Sequence, residues 1–286
     1  ETATDLYERT DALVRTMTKF VIKEFDHKQS MDDINADYIV DEKAHTAVLT
    51  KQGIDKAERY FGIDNLSSPE NSLLAFDHAA KEGYGIELDV QLSADGEVMV
   101  FHDYRLARMT GYEKKLCELT AEELSALRLK GTDEKIPTFR EVLALVDGRV
   151  PILVELKGES TDTSLCPKVA ELLREYGGAY CIESFNPLLL GKMRKQLPLA
   201  YYGLLYTNTC KDRKKYSALN IVISCMGLNF IARPDFIAYS HKYRKSLVVK
   251  LTTRLFRAPK FVWTVKGDEA IKKAHERGEH PIFERG

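Results

Sequence analysis

Residues 85–103 read GIELDVQLSADGEVMVFHD. Two apolar runs, 86–91 and 98–102, flank Leu92-Ser-Ala-Asp-Gly-Glu97. A parallel crossover needs a dozen or more residues, so this short connection predicts a hairpin. Glu87 and Asp89 lie two apart on the first run and therefore point to the same side of the strand. The hairpin carries His102 close to them. A third cluster, Glu155-Leu156-Lys157, closes the apolar run at 152–156. Strand ends of this kind are where an α/β barrel gathers its chemistry, because their side chains meet on one open face. Three converging carboxylates make a hard, oxygen-rich site suited to Mg²⁺ or Ca²⁺. A histidine beside them can move protons, and a lysine can steady an anionic ligand.

Outward from this stretch, strand and helix alternate. A helix is predicted over 72–82, introduced by Pro69 and Asn71 and ended by Gly83. Further strands are predicted at 152–156, 179–185, 199–206, 220–226, 260–266 and 281–284, with helices between them such as 166–176. The pattern is that of an α/β fold, a TIM-type (β/α) barrel. The first 70 residues read differently. Leu6, Leu13, Val14 and Met17 fall at helical spacing, residues 37–41 and 44–50 read as two short strands joined by a turn at Glu42-Lys43, and a charged helix is expected over 51–61. This small α+β appendage has too little apolar surface for a self-sufficient domain.

Composition narrows the class. Hydrophobic residues at 44% and charged residues at 30% describe a globular chain rather than a disordered one. No apolar run approaches the ~18 residues of a membrane span, and no charged-then-apolar leader follows Glu1. Five cysteines without a CxxC pair favour free thiols in a reducing compartment, hence a cytoplasmic location. The net charge of −1 hides an asymmetry: residues 1–71 hold 9 Lys/Arg against 15 Asp/Glu, whereas 192–260 hold 15 basic residues and only Asp212 and Asp235 as acids. Such a basic surface attracts anionic substrates, phosphates or lipid headgroups. In 246–257, Leu247, Leu251 and Leu255 share one side of a helix and Lys250, Arg254 and Arg257 lie elsewhere. That stripe reads as a barrel helix packing on its strands, with an interfacial helix on a membrane surface as the alternative.

Six segments, PENSLLAF (69–76), GIELDVQLSADGEVMVFHD (85–103), IPTFREVL (136–143), ILVELK (152–157), CIESFNP (181–187) and VWTVK (262–266), resemble the glycerophosphodiester phosphodiesterase family in order and content. The resemblance implies a metal-dependent hydrolase that splits glycerophosphodiesters into glycerol 3-phosphate and an alcohol. It implies Glu87, Asp89 and Glu155 as ligands of the divalent metal, Mg²⁺ or Ca²⁺, and His102 as one of two acid/base histidines. Lys157 would contact phosphate or the metal-site carboxylates, and Trp263 would line the substrate pocket. The family's first barrel strand ends in His-Arg-Gly shortly before Pro-Glu-Asn; here that region reads Arg59-Tyr60-Phe61-Gly62-Ile63-Asp64, and only the glycine matches. A barrel lacking its usual first strand and second histidine, with impaired activity, is therefore expected. The alternative is a non-catalytic barrel that binds metal or phosphate, or an inactive fusion product.

The N-terminal stretches ETATDLYERTDALVRT (1–16) and DYIVDEKAHTAVLTKQGIDKAERYFGIDNL (37–66) resemble part of the preprotein-crosslinking region of the SecA translocase ATPase. No GxxxxGK[ST] phosphate loop occurs in the chain, so ATP is not an expected ligand. The chain reads as a chimera: residues 1–68 SecA-like, and 69–286 a phosphodiesterase-like barrel. The expected partner is a small glycerophosphodiester rather than a nucleic acid.

Overall fold

The computed structural model describes residues 68–158, 160–212, 226–227, 229–255 and 258–285, together with short strands at 38–41, 46–49 and 62–64. The chain divides into two units, Glu1–Tyr60 and Phe61–Gly286. In the first, β1 (Tyr38–Asp41) pairs antiparallel with β2 (Thr46–Leu49), in the register Tyr38↔Leu49 to Asp41↔Thr46. The helices expected in 5–20 and 51–61 lie outside the described residues.

The second unit is built on one nine-stranded sheet. Its strands are β3 (Gly62–Asp64), β4 (Ile86–Leu92), β5 (Val98–Val100), β6 (Ile152–Leu156), β7 (Tyr180–Ser184), β8 (Tyr201–Tyr206), β9 (Phe236–Ser240), β10 (Lys260–Lys266) and β11 (His280–Arg285). Their order is β3-β11-β10-β9-β8-β7-β6-β4-β5. All neighbours pair parallel except β4 and β5, the predicted hairpin, which is antiparallel with Val90 opposite Val100. Leaving out β5, eight strands follow in chain order, and β3 also contacts β4, so the sheet curls on itself as a TIM-type barrel does.

Two expectations need correction. The place of the first strand is not vacant: Gly62–Asp64, assigned above to the N-terminal side of the 68/69 boundary, pairs with β11 through Gly62↔Phe283 and Asp64↔Arg285. The strand is shortened to three residues rather than lost. The structure also contains β9, which sequence pattern missed. All five of its residues are buried, so it shows none of the in–out alternation that marks a half-exposed strand. The strand expected at 220–226 falls largely outside the described residues, and Met226 is in a turn.

The α-helices among the described residues are α1 (Leu73–Lys81), α2 (Ala107–Thr110), α3 (Ala121–Ser125), α4 (Phe139–Val146), α5 (Leu165–Glu175), α6 (Pro187–Gln196), α7 (Thr209–Asp212), α8 (Asn229–Ala232), α9 (Leu247–Leu255) and α10 (Asp268–Glu276). Their starts are written in the sequence. Thr120 with Glu123, and Thr138 with Glu141, form reciprocal capping boxes. Ser72, not Asn71, caps α1 by accepting from the Ala75 amide at 3.1 Å. None of the described helices is long and apolar enough to cross a membrane.

Three apolar clusters result. The largest packs outward-facing Ile86, Leu88, Val90, Ile152, Val154 and Leu156 against the helices. A second, inside the barrel, joins Leu153, Leu205, Phe236, Ala238, Phe261 and Ile282. The third holds residues 99–136 together around Met99, Phe101, Leu106, Met109 and Leu116. The barrel interior depends on Gly203, where a Cβ would come within 2.0 Å of the buried Phe236 ring. Because that ring is held against Phe261 at 4.7 Å between centroids, it has little room to retreat. Gly203→Ala is expected to lower stability by about 1–3 kcal/mol through overpacking, read as a lower urea midpoint; an unchanged midpoint would show that the ring moves freely.

Candidate active site

The strand register assembles an acidic row. Asp89 of β4 stands opposite Glu155 of β6, and Glu155 stands opposite Glu183 of β7. Glu87 lies two residues before Asp89 on the same face. One carboxylate oxygen from each of Glu87, Asp89 and Glu155 falls within 4.8 Å of the others. Lys157 Nζ reaches into the row, 2.9 Å from Glu155 Oε1 and 2.7 Å from Asp89 Oδ1. The Asp89 contact is an ion pair without hydrogen-bond alignment. Asn71 closes the other side of Asp89: its Nδ2 donates to Oδ2 at 2.9 Å, while its Oδ1 accepts from the Asp89 amide at 3.3 Å. Asn71 adopts φ of 57°, a left-handed conformation that asparagine tolerates better than most residues.

The electrostatics of this row are unbalanced. Four carboxyls face a single ammonium. Burial, and then the charges of Asp89, Glu155 and Glu183, raise Glu87 well above the usual carboxylate range. Burial and the charge of Asp89 likewise raise Glu155. Glu183 is raised by burial and by Glu155 and Asp89, and its Oε2 is buried without a hydrogen-bond partner among the described residues. Burial pushes Asp89 up too, but the charges of Lys157 and His102, with the hydrogen bond from Asn71, hold it below its ordinary value. Lys157 is correspondingly raised by its two carboxylates despite burial. Such a cluster takes up protons or a cation, because like charges this close in a partly dry site cannot all persist. Hard oxygen donors at this spacing suit Mg²⁺ or Ca²⁺.

His102 stands on the rim. Phe101 beside it is buried in the third cluster, and His102 itself faces outward. Gln91 Nε2 donates to the carbonyls of Phe101 and Asp103 at 2.7 and 2.9 Å, clamping the backbone on both sides of the histidine. His102 Nδ1 lies 2.7 Å from Asp103 Oδ1. Arg108 bonds Asp103 and also Glu70. Partial burial raises the Asp103 carboxyl, but Arg108 and His102 outweigh it and keep it ionised. An ionised carboxylate only accepts, so the His102 nitrogen that donates to it is Nδ1, and Nε2 is the ring nitrogen left for a ligand.

A cleft of about 1130 Å³ opens over these groups, lined by His102, Glu155, Lys157, Phe185, Tyr206 and Trp263 among others. Phe185 and Trp263 meet edge to face at 5.7 Å. The CIESFNP segment shapes its wall: Ser184 Oγ donates to the Leu156 carbonyl, and Asn186 Nδ2 donates to the carbonyls of Gly158 and Ser160, binding the loop that follows Lys157.

All six residues singled out from sequence thus border one site: Glu87, Asp89, Glu155 and Lys157 in the row, His102 and Trp263 on the cleft. Sequence reasoning missed Glu183, Gln91, Asn71 and Arg108. Glu183 had a signal, an acid inside an apolar strand, whose meaning appears only through its register with Glu155. Gln91 had a subtler one, the same strand face as Glu87 and Asp89. Arg108 had none, since its partners Glu70 and Asp103 are distant from each other in sequence.

Residues 2–106 match the SecA preprotein cross-linking domain. SecA of Acetivibrio thermocellus is 56% identical over 73 residues, covering 26% of this chain and 8% of that protein, so the chain joins a SecA-like fragment to a barrel. A glycerophosphodiester phosphodiesterase of Caldanaerobacter subterraneus subsp. tengcongensis is 35% identical over 154 residues, covering 50% of this chain and 63% of the relative, just under two thirds of its length. An Oleispira antarctica phosphodiesterase, solved with sn-glycerol-3-phosphate, superposes with a TM-score of 0.66 at 20% identity over 79% of this chain and 91% of that one, which shows the shared fold. Residues 64–284 match the glycerophosphoryl diester phosphodiesterase family, and the chain belongs to that family.

Proposed function

We propose that the barrel hydrolyses glycerophosphodiesters to glycerol 3-phosphate and an alcohol, with a divalent cation, Mg²⁺ or Ca²⁺, held by Glu87, Asp89 and Glu155. The observation that carries this reading is the convergence of three carboxylate oxygens within 4.8 Å at a cleft that His102 and Lys157 also line. The related solved phosphodiesterase with sn-glycerol-3-phosphate supports the product. A bound cation would supply charge neutralisation for the phosphoryl oxygens. The remaining work falls to side chains of this chain. His102, with Nδ1 fixed on Asp103, presents Nε2 to give or take the proton of a glycerol or leaving-alcohol oxygen. Lys157 keeps Asp89 and Glu155 together and adds positive charge beside the phosphate. Trp263 and Phe185 form an apolar wall for the carbon skeleton.

Free thiols at Cys117, Cys166, Cys181 and Cys210 favour a reducing, cytoplasmic setting. Residues 1–68 would act as a SecA-like attachment to the catalytic portion at 69–286, with β3 as the exception noted above.

The absent His-Arg-Gly favours a second reading, a barrel that binds cation and phosphate without turnover. One proton-transfer group where the family has two lowers the expected rate by about 10²–10⁴-fold. Release of glycerol 3-phosphate from glycerophosphocholine and glycerophosphoethanolamine separates the two. Slow release that requires Mg²⁺ or Ca²⁺, stops with EDTA and falls by a further ~10²-fold or more in His102→Ala supports hydrolysis. No release from a chain that still binds cation would establish the second reading.

Lys157 allows an independent check. Its replacement by methionine strands Asp89 and Glu155 side by side in a buried place, at an expected cost of about 3 kcal/mol in EDTA. Added cation should restore most of that loss, as seen in urea unfolding with and without metal. A Lys157→Met chain of unchanged stability in EDTA would mean that protons alone already relieve the row.

A further inference from the structure

Helix α9 inverts the packing its sequence suggests. Leu247 and Leu251, one turn apart and the natural choice for a core-facing stripe, are 73% and 66% exposed. Val249 is buried instead, with Val248 packed against the outer core. Burying a leucine stabilises a protein, so two leucines one turn apart left in water mark a surface with a use elsewhere. Phe230 on α8, 71% exposed, adds to the apolar surface of this unit.

The charge around the leucines has one sign. Residues 241–255 contain Lys242, Arg244, Lys245, Lys250 and Arg254 and no acid. Lys250 and Arg254 lie one residue before and three after Leu251. Beside the start of this segment is a hollow of about 520 Å³ whose lining includes His241, Lys242, Arg244, Lys266, Lys273 and Arg277, with no carboxylate among its described lining residues. Glu279 and Glu269 pair with Arg244 and Lys273 from outside the lining.

Both features adjoin the mouth of the cleft. Ser246, just before α9, has its Oγ 3.3 Å from the Tyr206 hydroxyl, and Tyr243 donates to the Asp212 carboxylate. Tyr206 and Asp212 line the cleft, and Trp263 lines both the cleft and the basic hollow. A second copy of the chain fits this surface poorly, because a two-fold contact would set the same basic segment against itself. An anionic lipid surface complements both properties: apolar side chains enter the headgroup boundary while lysine and arginine meet phosphates.

We propose that α9 and the adjoining basic hollow dock the barrel on an anionic phospholipid surface, with Leu247 and Leu251 inserted and the cleft mouth close to the bilayer. The docking needs no turnover, so it stands or falls separately from phosphodiester hydrolysis.

Sedimentation of the full chain with unilamellar vesicles tests it, using phosphatidylcholine alone or mixed with phosphatidylglycerol, at low and high salt. Binding is expected to be about tenfold or more stronger on the mixed vesicles and to weaken with salt. The Leu247→Ser/Leu251→Ser chain and the Lys250→Gln/Arg254→Gln chain should each lose about tenfold in binding. Both pairs are exposed, so circular dichroism and unfolding midpoints should match the parent chain. Absence of binding, equal binding to both vesicle types, or undiminished binding by both variants would overturn the proposal. A dimer in solution that the leucine variant dissolves would overturn it too, by assigning the patch to a second copy.

Discussion

Four carboxyl groups and one ammonium converge on three adjacent strands, and that imbalance constrains the rest of the barrel. Parallel register sets Asp89, Glu155 and Glu183 abreast, and the two-residue strand repeat adds Glu87. Water would screen such a group, but most of it is buried. Lys157 satisfies only Asp89 and Glu155. Protons on the raised carboxyls, or a cation in their midst, must supply the remaining balance. A site that repels itself when empty is primed to take up positive charge.

The surroundings hold that row in place. Gly203 leaves room for Phe236 to fill the interior, so the acids rest on a packed floor rather than a water-filled pore. Asn71 fixes Asp89 from the loop before α1. Arg108 ties that loop, through Glu70, to the His102-Asp103 corner. The small cluster around Phe101 and Leu116 anchors the corner in turn. Residues widely separated in sequence, Pro-Glu-Asn at 69–71, His-Asp at 102–103 and Arg108, therefore form one rigid rim.

Parts of this were legible in the sequence for physical reasons. The connection at 92–97 could only be a hairpin, and Glu87-x-Asp89 could only share a face. Other features depend on tertiary context. Strand β9 is buried on both faces and carries no periodic signal. Glu183 gains meaning only from its neighbour across the sheet. Asn71 looks like a helix cap, yet Ser72 takes that role and frees Asn71 for Asp89. Spacing on α9 gives a leucine stripe but not its direction, and its valines win the packing contact. The shortened β3 was hidden because the matching His-Arg-Gly is absent, although three residues suffice to pair with β11.

The junction with the SecA-like segment falls where the barrel's first strand belongs, so chemistry and architecture are both tested there. Whether the acidic row binds a cation is the most direct question, and calorimetric titration of the chain with Ca²⁺ and with Mg²⁺ answers it without a substrate. The expected result is one cation per chain with release of protons, lost in Glu155→Gln and in Asp89→Asn. Binding that is absent, or that persists unchanged in both variants, would contradict the assignment of Glu87, Asp89 and Glu155 as the metal centre.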